Sequence, residues 1–237
     1  MPRNEAEATP APLAAAIVVA DGDVPSRAEL DAAWPGWAAG ATYVVAADGG
    51  ATAAEQLGLA LDLVVGDMDS LGAADRARLE AAGVPLQAWP TEKDASDLEL
   101  AVQAALLQDP QRITLLGVFG GLRLDHALAG AVLLSLPELI GRDVVCVDAR
   151  QRVRLLRGPA EALLQGPSGD LVTLLPFGVD AQGVRTTELA YPLHGERLRL
   201  GSSRGLSNVR ITARARVSVR AGLLLVIETH HPPGGLP

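Results

Sequence analysis

The chain has a single cysteine, Cys146, so no disulfide can form within it, and nothing in its composition calls for an oxidising compartment. The apolar neighbours in VVCVD place that thiol in the core. Aromatic residues make up only 3% of the sequence, and lysine occurs once, at Lys93; every other basic residue is arginine. No apolar run approaches the roughly 18 residues of a membrane span. The opening MPRNEAEATPAP is polar and acidic where a secretory signal would be basic and then apolar. These absences predict a cytoplasmic protein. A formal net charge of -8 and a pI of about 5.0 leave no basic footprint for nucleic acid or an anionic membrane, so the ligand should be small.

What is present is a 49% hydrophobic chain of 237 residues, long enough to bury a full core in one large domain or two modest ones. The pattern predicts strands over 14–20, 43–47, 61–66, 84–89, 112–119 and 143–147. Helices are expected over 26–33, from 50 through 57, and over 73–82, 96–108 and 123–136. Ser26 with Glu29 forms a capping box, Pro35 and Gly36 stop that helix, and Trp34 and Trp37 read as packing residues at its end. Strands alternating with helices imply a parallel, Rossmann-like sheet of about six strands, covered on both faces and joined by right-handed crossovers. From 151 to 229 helical periodicity vanishes, and short runs such as RVRLL and ARVSVR lie between Gly, Pro and Ser. That texture predicts an all-β domain, a β-sandwich or barrel, with the boundary near 148–152. The expected fold is therefore an α/β domain over 14–150 followed by a β-sandwich over 151–229. Residues 1–13 and 230–237 read as disordered tails.

The chain is organised around LDLVVGDMDSL, 61–71. An apolar run stopped by Gly66 reads as a buried parallel strand, and ligands of open α/β sheets collect at the carboxyl ends of such strands. Asp67 and Asp69 are two residues apart. If the chain stays extended past Gly66, both project to one side, as hard oxygen ligands for Mg²⁺ would. The plainer alternative is that Asp69 or Ser70 caps the helix beginning near Gly72.

Three other loops follow strands of the same sheet. Asp48-Gly49-Gly50 sets a carboxylate beside residues that let a backbone approach phosphate closely, or forms a plain strand-to-helix turn. In Thr91-Glu92-Lys93-Asp94-Ala95-Ser96-Asp97-Leu98-Glu99, Ser96 and Glu99 make a capping box and Asp97 suits the first turn of a helix. Neither accounts for the chain's only lysine standing beside Asp94, where an ammonium can neutralise a polyphosphate. In Gly120-Gly121-Leu122-Arg123-Leu124-Asp125-His126, two glycines free backbone amides at a helix start and Arg123 offers a planar fork for phosphate oxygens. Asp125 and His126 also read as ordinary first-turn residues. Together the loops gather acids at 48, 67, 69, 94, 97 and 125 with cations at 93 and 123. Massed carboxylates repel unless a cation joins them, so a divalent metal with a bound polyphosphate is their natural complement.

DGGA at 48–51, GDMDS at 66–70, KDASDLE at 93–99 and GGLRLDH at 120–126, followed by GLSN at 205–208 in a β-rich half, resemble the thiamine pyrophosphokinase family in order along 15–228. The resemblance implies transfer of the diphosphoryl group of ATP to the hydroxyl of thiamine, giving thiamine diphosphate and AMP. It also implies a homodimer with the thiamine site between subunits. By motif, Asp67, Asp69 and Asp97 would be the Mg²⁺ ligands, with Asp48 and Asp125 near nucleotide or metal. Lys93 and Arg123 would hold phosphates, with Gly49, Gly50, Asp94, Gly121 and His126 lining the nucleotide site. Ser207 and Asn208 would meet the pyrimidine of thiamine, although GLSN also reads as a tight turn. Two departures stand out: Gly130 occupies a place where the family commonly has asparagine, and no aromatic follows Asn208 to stack on thiamine.

The expected chemistry is in-line attack by the substrate hydroxyl on the β-phosphorus, dominated by positioning and electrostatics, with Asp97 or Asp125 as candidate proton acceptor. Three alternatives share parts of the pattern: a diphosphotransferase for another hydroxymethyl heterocycle such as a pterin, a metal-dependent glycosyltransferase, and a nucleotide-binding module without turnover.

Overall fold

The structure is a computed structural model, and it describes residues 14–121 and 123–230. The N-terminal half runs β1 (Ala15–Val19), α1 (Arg27–Ala33), β2 (Ala41–Ala47), α2 (Gly50–Gln56), β3 (Leu63–Gly66), α3 (Ala73–Ala81), β4 (Leu86–Ala88), α4 (Asp97–Leu106), β5 (Arg112–Leu116), α5 (Leu124–Leu133) and β6 (Asp143–Val147). Its strands pair in parallel in the order β6-β5-β1-β2-β3-β4. Every residue of β1, AAIVV, is buried, because helices lie on both faces. Leu100, Ala101, Ala105 and Leu133 of α4 and α5 pack on one face. Leu30 and Ala54 of α1 and α2 cover the other, and Leu79 of α3 closes its edge.

The helix ends follow local chemistry. Ser26 accepts from the Glu29 amide and Glu29 reaches back to Ser26, completing the expected capping box. Trp34 and Trp37 are buried, and their indole N–H groups donate to the Asp148 carbonyl and to Asp31 Oδ1. Cys146 is buried as well.

The sheet does not end at 148–152. Asp148 Oδ1 accepts from the amides of Arg150 and Gln151, both at 2.7 Å, and this side-chain turn sends β7 (Gln151–Arg157) back along β6 in antiparallel register. The remaining strands are β8 (Ala160–Gln165), β9 (Leu171–Pro176), β10 (Ala181–Thr187), β11 (His194–Leu198), β12 (Asn208–Val209), β13 (Arg214–Val219) and β14 (Leu223–Thr229). β14, β9 and β12 extend the first sheet to ten strands, ordered β12-β9-β14-β7-β6-β5-β1-β2-β3-β4. The other four make a separate antiparallel sheet, β11-β10-β13-β8. Val172, Leu174, Leu224 and Val226 alternate along β9 and β14 and share one buried cluster with Leu164, Val184 and Val217 of the smaller sheet.

The parallel sheet of six strands is thus one part of a larger mixed sheet. The expected strands over 84–89 and 112–119 shorten to β4 and β5. At the C-terminal end, His230 is not part of a loose tail: its Nδ1 lies 3.1 Å from Asp170 Oδ1 and its amide donates to the Arg150 carbonyl. The expected tails over 1–13 and 231–237 lie outside the described residues.

Candidate active site at the carboxyl edge of the parallel strands

β2 and β3 end side by side, and their last residues deliver the first two acids. Asp48 follows β2 at φ 45°, an uncommon backbone for a residue other than glycine, and its amide donates to the Val65 carbonyl of β3. Gly66 closes β3 at φ 153°; a Cβ there would lie 3.0 Å from Asp48 Cβ and 3.2 Å from Asp97 Oδ1. The glycine makes room for both carboxylates. Asp97 is the first residue of α4, whose N-cap Ser96 accepts from the Glu99 amide, so the cap fixes where Asp97 stands.

One carboxylate oxygen from each of Asp48, Asp67 and Asp97 falls within a mutual 4.8 Å, a spacing that a single divalent cation can bridge. Lys93 Nζ lies 3.0 Å from Asp97 Oδ1 and 3.8 Å from Asp67 Oδ2. The lysine and Asp67 are both largely shielded from solvent. Asp48 is buried; its Oδ2 accepts from the Ser70 amide, while its Oδ1 has no hydrogen-bond partner. Burial, and then the carboxylates of Asp69 and Asp67, push the Asp48 carboxyl up to about 6. Asp67 is instead held below its ordinary value, chiefly by the Asp69 amide, which donates to Oδ1 at 3.2 Å, with Thr91 and Lys93 adding to the effect. A buried, unbonded acceptor among neighbouring carboxylates is the signature of a place for a cation, and the oxygen donor set suits Mg²⁺.

The extended reading of Asp67-Met68-Asp69 is corrected. Met68 lies at φ 64° with its thioether buried against Val64, Leu71 and Leu79, so the chain turns between the two acids. Asp67 stands in the close trio; Asp69 is exposed and accepts from the Ser70 hydroxyl at 3.1 Å, and its carboxylate interacts with those of Asp48 and Asp67 at the rim of the trio. Asp48, expected only nearby, takes the third place. Neither Asp69 nor Ser70 caps α3; its N-cap is Gly72.

The glycines of these loops allow close packing within the protein. A Cβ on Gly50 would meet the Val19 carbonyl at 2.2 Å, and one on Gly49 would meet Asp21 Oδ1 at 2.2 Å. Their missing side chains are filled by the protein itself. Asp21 joins this edge, and its carboxylate interacts with that of Asp69. Its only sequence signal is its place after β1, which the other strand-end acids share. Gly121 donates its amide to Asp23 Oδ2 at 2.8 Å, and α5 begins three residues later, so that amide is not free at a helix start. Arg123 and Asp125 pair with each other through Nη2–Oδ2 at 2.6 Å and Nε–Oδ1 at 2.9 Å, exposed on the loop. The guanidinium holds the Asp125 carboxyl well below the usual carboxylate range. His126 is exposed on the first turn of α5, and Asp94 is exposed between Lys93 and the cap. A Cβ on Gly130 would meet Val118 Cγ1 at 2.3 Å, so asparagine there would displace the sheet contact of α5.

At the opposite end of the ten-stranded sheet, Ser207 sits at φ 55° and its amide donates to Thr173 Oγ1. The Asn208 side chain is buried and bonded through both its oxygen and its nitrogen. Oδ1 accepts from the amides of Tyr191 and Val209, both at 2.9 Å, and Nδ2 donates to the Tyr191 carbonyl at 2.6 Å. It therefore positions the backbone of Tyr191, a residue that is 63% exposed. Tyr191 is thus an exposed aromatic residue held beside Asn208 by another loop.

A mixed α/β sheet with a separate antiparallel sheet, carrying a carboxylate triad and a shielded lysine at its strand ends, defines an α/β protein with an acidic edge where ligands of such sheets collect. The family models identify which one: residues 36–138 match the thiamin pyrophosphokinase catalytic domain and residues 162–224 its vitamin B1 binding domain. The chain belongs to the thiamin pyrophosphokinase family. It is 29% identical to the thiamine pyrophosphokinase of Bacillus subtilis over 164 residues, 69% of this chain and 76% of that one. The crystal structure of the Bacillus subtilis enzyme superposes with a TM-score of 0.79 at 26% identity, covering 92% of this chain and 99% of that one. Thiamin pyrophosphokinase from Candida albicans shares the fold, with a TM-score of 0.76 at 14% identity over 92% and 90% of the two chains.

Proposed function

We infer that this chain is a thiamine pyrophosphokinase, transferring the diphosphoryl group of ATP to the hydroxyl of thiamine to give thiamine diphosphate and AMP. The single observation that carries the reading is the joint match of a catalytic and a vitamin B1 binding half in one chain. The pterin, nucleotide-sugar and non-catalytic alternatives have no comparable support.

Asp48, Asp67 and Asp97 would hold Mg²⁺, which when bound supplies charge neutralisation for the phosphates. Lys93, between Asp67 and Asp97, orients those carboxylates and presents an ammonium to the departing nucleotide's charge. Arg123 can exchange Asp125 for a phosphate oxygen, since both side chains are solvent-accessible. Asp125, released when Arg123 turns to phosphate, and Asp97 at the head of α4 are the two carboxylates placed to take the hydroxyl proton. Tyr191, steadied by Asn208, offers a face for the thiamine rings beside Ser207.

The working unit we propose is a homodimer. β12 and β3 stand at positions one and nine of the ten-stranded sheet, and strand spacing alone separates them by on the order of 35 Å. One small substrate cannot touch both Ser207 and Asp67 across that span. A second copy that brings its β12 turn to this copy's acidic edge completes the site. Leu124, Leu128 and Val132 form an exposed apolar stripe on α5, beginning beside Arg123, and Leu206 and Ile211 are exposed around β12. Both are surfaces a partner would cover. Two domains, an α/β catalytic one and a β-sandwich one, and a cytoplasmic location complete the proposal; among the described residues no helix is long and apolar enough to cross a membrane.

The test is incubation of the purified chain with ATP, Mg²⁺ and thiamine. Thiamine diphosphate and AMP should appear in equal amounts. ADP with thiamine monophosphate, or AMP without a thiamine product, would overturn the assignment.

A further inference from the structure

The outer face of the smaller sheet carries a hollow that the acidic edge does not explain. Along ARARVSVR, 213–220, Ala215, Val217 and Val219 are buried, so Arg214, Arg216, Ser218 and Arg220 alternate onto the solvent side of β13. Arg185 of β10 stands opposite Ser218 and thus on that same face. Arg185, Ser218 and Arg220 line one cavity of about 460 Å³ together with Pro159 and Ala160, and no carboxylate lines it. Two glycines make room for the arginines. A Cβ on Gly195 would lie 3.2 Å from Arg185 Nη2, and one on Gly183 would lie 3.0 Å from Arg220 Nε. Both glycines have positive φ, 97° and 66°, on the paired strands β11 and β10 where their register shifts, and both line the same hollow. The Arg185 guanidinium and the Arg220 side chain are thus laid over adjacent strands around one space. Neither arginine has an ion-pair partner among the described residues. The acids of this sheet and its margin are engaged elsewhere: Glu161, opposite Ser218 on β8, with Arg216 at 2.5 Å, Glu196 with Arg204 at 3.4 Å, and Asp180 with Arg197.

Two cations held over one hollow repel each other unless an anion joins them, and in a chain of net charge -8 no neighbouring carboxylate does so here. Guanidinium forks match phosphate oxygens with paired N–H donors, and a hydroxyl between them adds a third donor. The volume is that of a small-molecule site, not of a track for an extended polyanion. We propose that this hollow binds a small phosphate monoester, its phosphate between Arg185 and Arg220 with the Ser218 hydroxyl donating, and its body against Pro159 and Ala160. The acidic edge lies at the carboxyl ends of β2 and β3 in the other sheet, so this site is separate from the one that handles ATP. The proposal does not depend on the assigned reaction.

Isothermal calorimetry on the full chain, at low salt and with chelator to keep metal from the acidic edge, tests it with phenyl phosphate, inorganic phosphate and benzylammonium as probes. Phenyl phosphate should bind saturably at one per chain, inorganic phosphate more weakly, and benzylammonium not at all. Arg185→Met and Arg220→Met should each weaken phenyl phosphate about tenfold or more, the effect of removing one charged hydrogen-bonding fork. Both side chains are exposed, so these variants should keep the fold. Ser218→Glu sets a carboxylate between the two guanidinium groups and should abolish binding, whereas Arg150→Met, at an exposed arginine away from the hollow, should leave it unchanged. Absence of saturable phenyl phosphate binding, inorganic phosphate binding as tightly, affinity unaltered in the Arg185 and Arg220 variants, or an equal loss in Arg150→Met would each overturn the proposal. So would tighter binding of a single-stranded DNA oligonucleotide or of phosphatidic acid vesicles, which would make this face a surface for a polyanion or a membrane.

Discussion

Gly66 lies directly under Asp48: a Cβ on the glycine would stand 3.0 Å from the aspartate's own Cβ. The same atom would crowd Asp97 Oδ1 at 3.2 Å, and φ 153° already disfavours any other residue. Gly66→Ala should therefore spread two of the three carboxylates while leaving the sheet in place. The expected result is a loss of kcat/KM of about 100-fold, since small misplacements of positioned groups are costly, with a destabilisation of about 1–3 kcal/mol. Steady-state kinetics beside far-UV circular dichroism checks it; near-normal turnover would detach the triad from catalysis.

Asp48 makes stability depend on pH with a sign opposite to that of most carboxylates. Its folded value is raised to about 6, above the unfolded value, so the native state binds the proton more tightly. The resulting penalty grows as pH rises from about 4 to about 6 and is complete above that. Without divalent metal, Asp48→Asn should be more stable than the parent above pH 6 by about 1–2 kcal/mol, and the advantage should vanish below about pH 4. Mg²⁺ should raise the Tm of the parent and not of the variant. Urea titrations at several pH values, with and without Mg²⁺, give the answer; a variant less stable at pH 7 in chelator would refute the crowding argument.

Among the described residues Lys93 is the one cation in ion-pair contact with Asp67 and Asp97, so its removal should expose their mutual repulsion. Lys93→Met should lose activity by at least about 100-fold, the scale of deleting a preorganised electrostatic group. It should also require less Mg²⁺ for half-maximal thermal stabilisation, because the ion no longer competes with the ammonium. A variant needing more Mg²⁺ would assign Lys93 a different role.

These acids were legible in the sequence because each follows an apolar run, and strand ends gather at one edge. Asp67 stands at the end of such a run, and Lys93 and Asp97 in the segment that leads from the next strand into α4. The backbone reversal between Asp67 and Asp69 was not legible, because it goes with burying Met68, which spacing does not reveal. The split into two halves was visible in the loss of helical period after Asp148. The continuity of the sheet was not, since it rests on two amide contacts to the Asp148 side chain. Tyr191 escaped because its link to Asn208 spans seventeen residues and exists only after folding.

That link separates two readings of the substrate site. If Asn208 touched thiamine directly, its loss and that of Tyr191 would be alike in kind; as a positioning residue, Asn208 acts through the tyrosine. Asn208→Ala should raise KM for thiamine, leave KM for ATP unchanged, and cost about 1–3 kcal/mol of stability through the buried amides left unpaired. A double variant with Tyr191→Ala should then bind thiamine no worse than Tyr191→Ala alone.

The shared site makes a sharper demand. Asp97→Asn disables the acidic edge and Tyr191→Ala the ring contact, so each variant should be nearly inactive as a homodimer. In a mixed dimer, the intact acids of the Tyr191→Ala chain meet the intact tyrosine of the Asp97→Asn chain, and one complete site is restored. Random mixing makes half of the dimers mixed, each with one working site of two, so activity should recover to roughly a quarter of the parent level. A chain that holds both halves of its own site would show no recovery on mixing, and the long separation between β12 and β3 would then have to be bridged within one molecule.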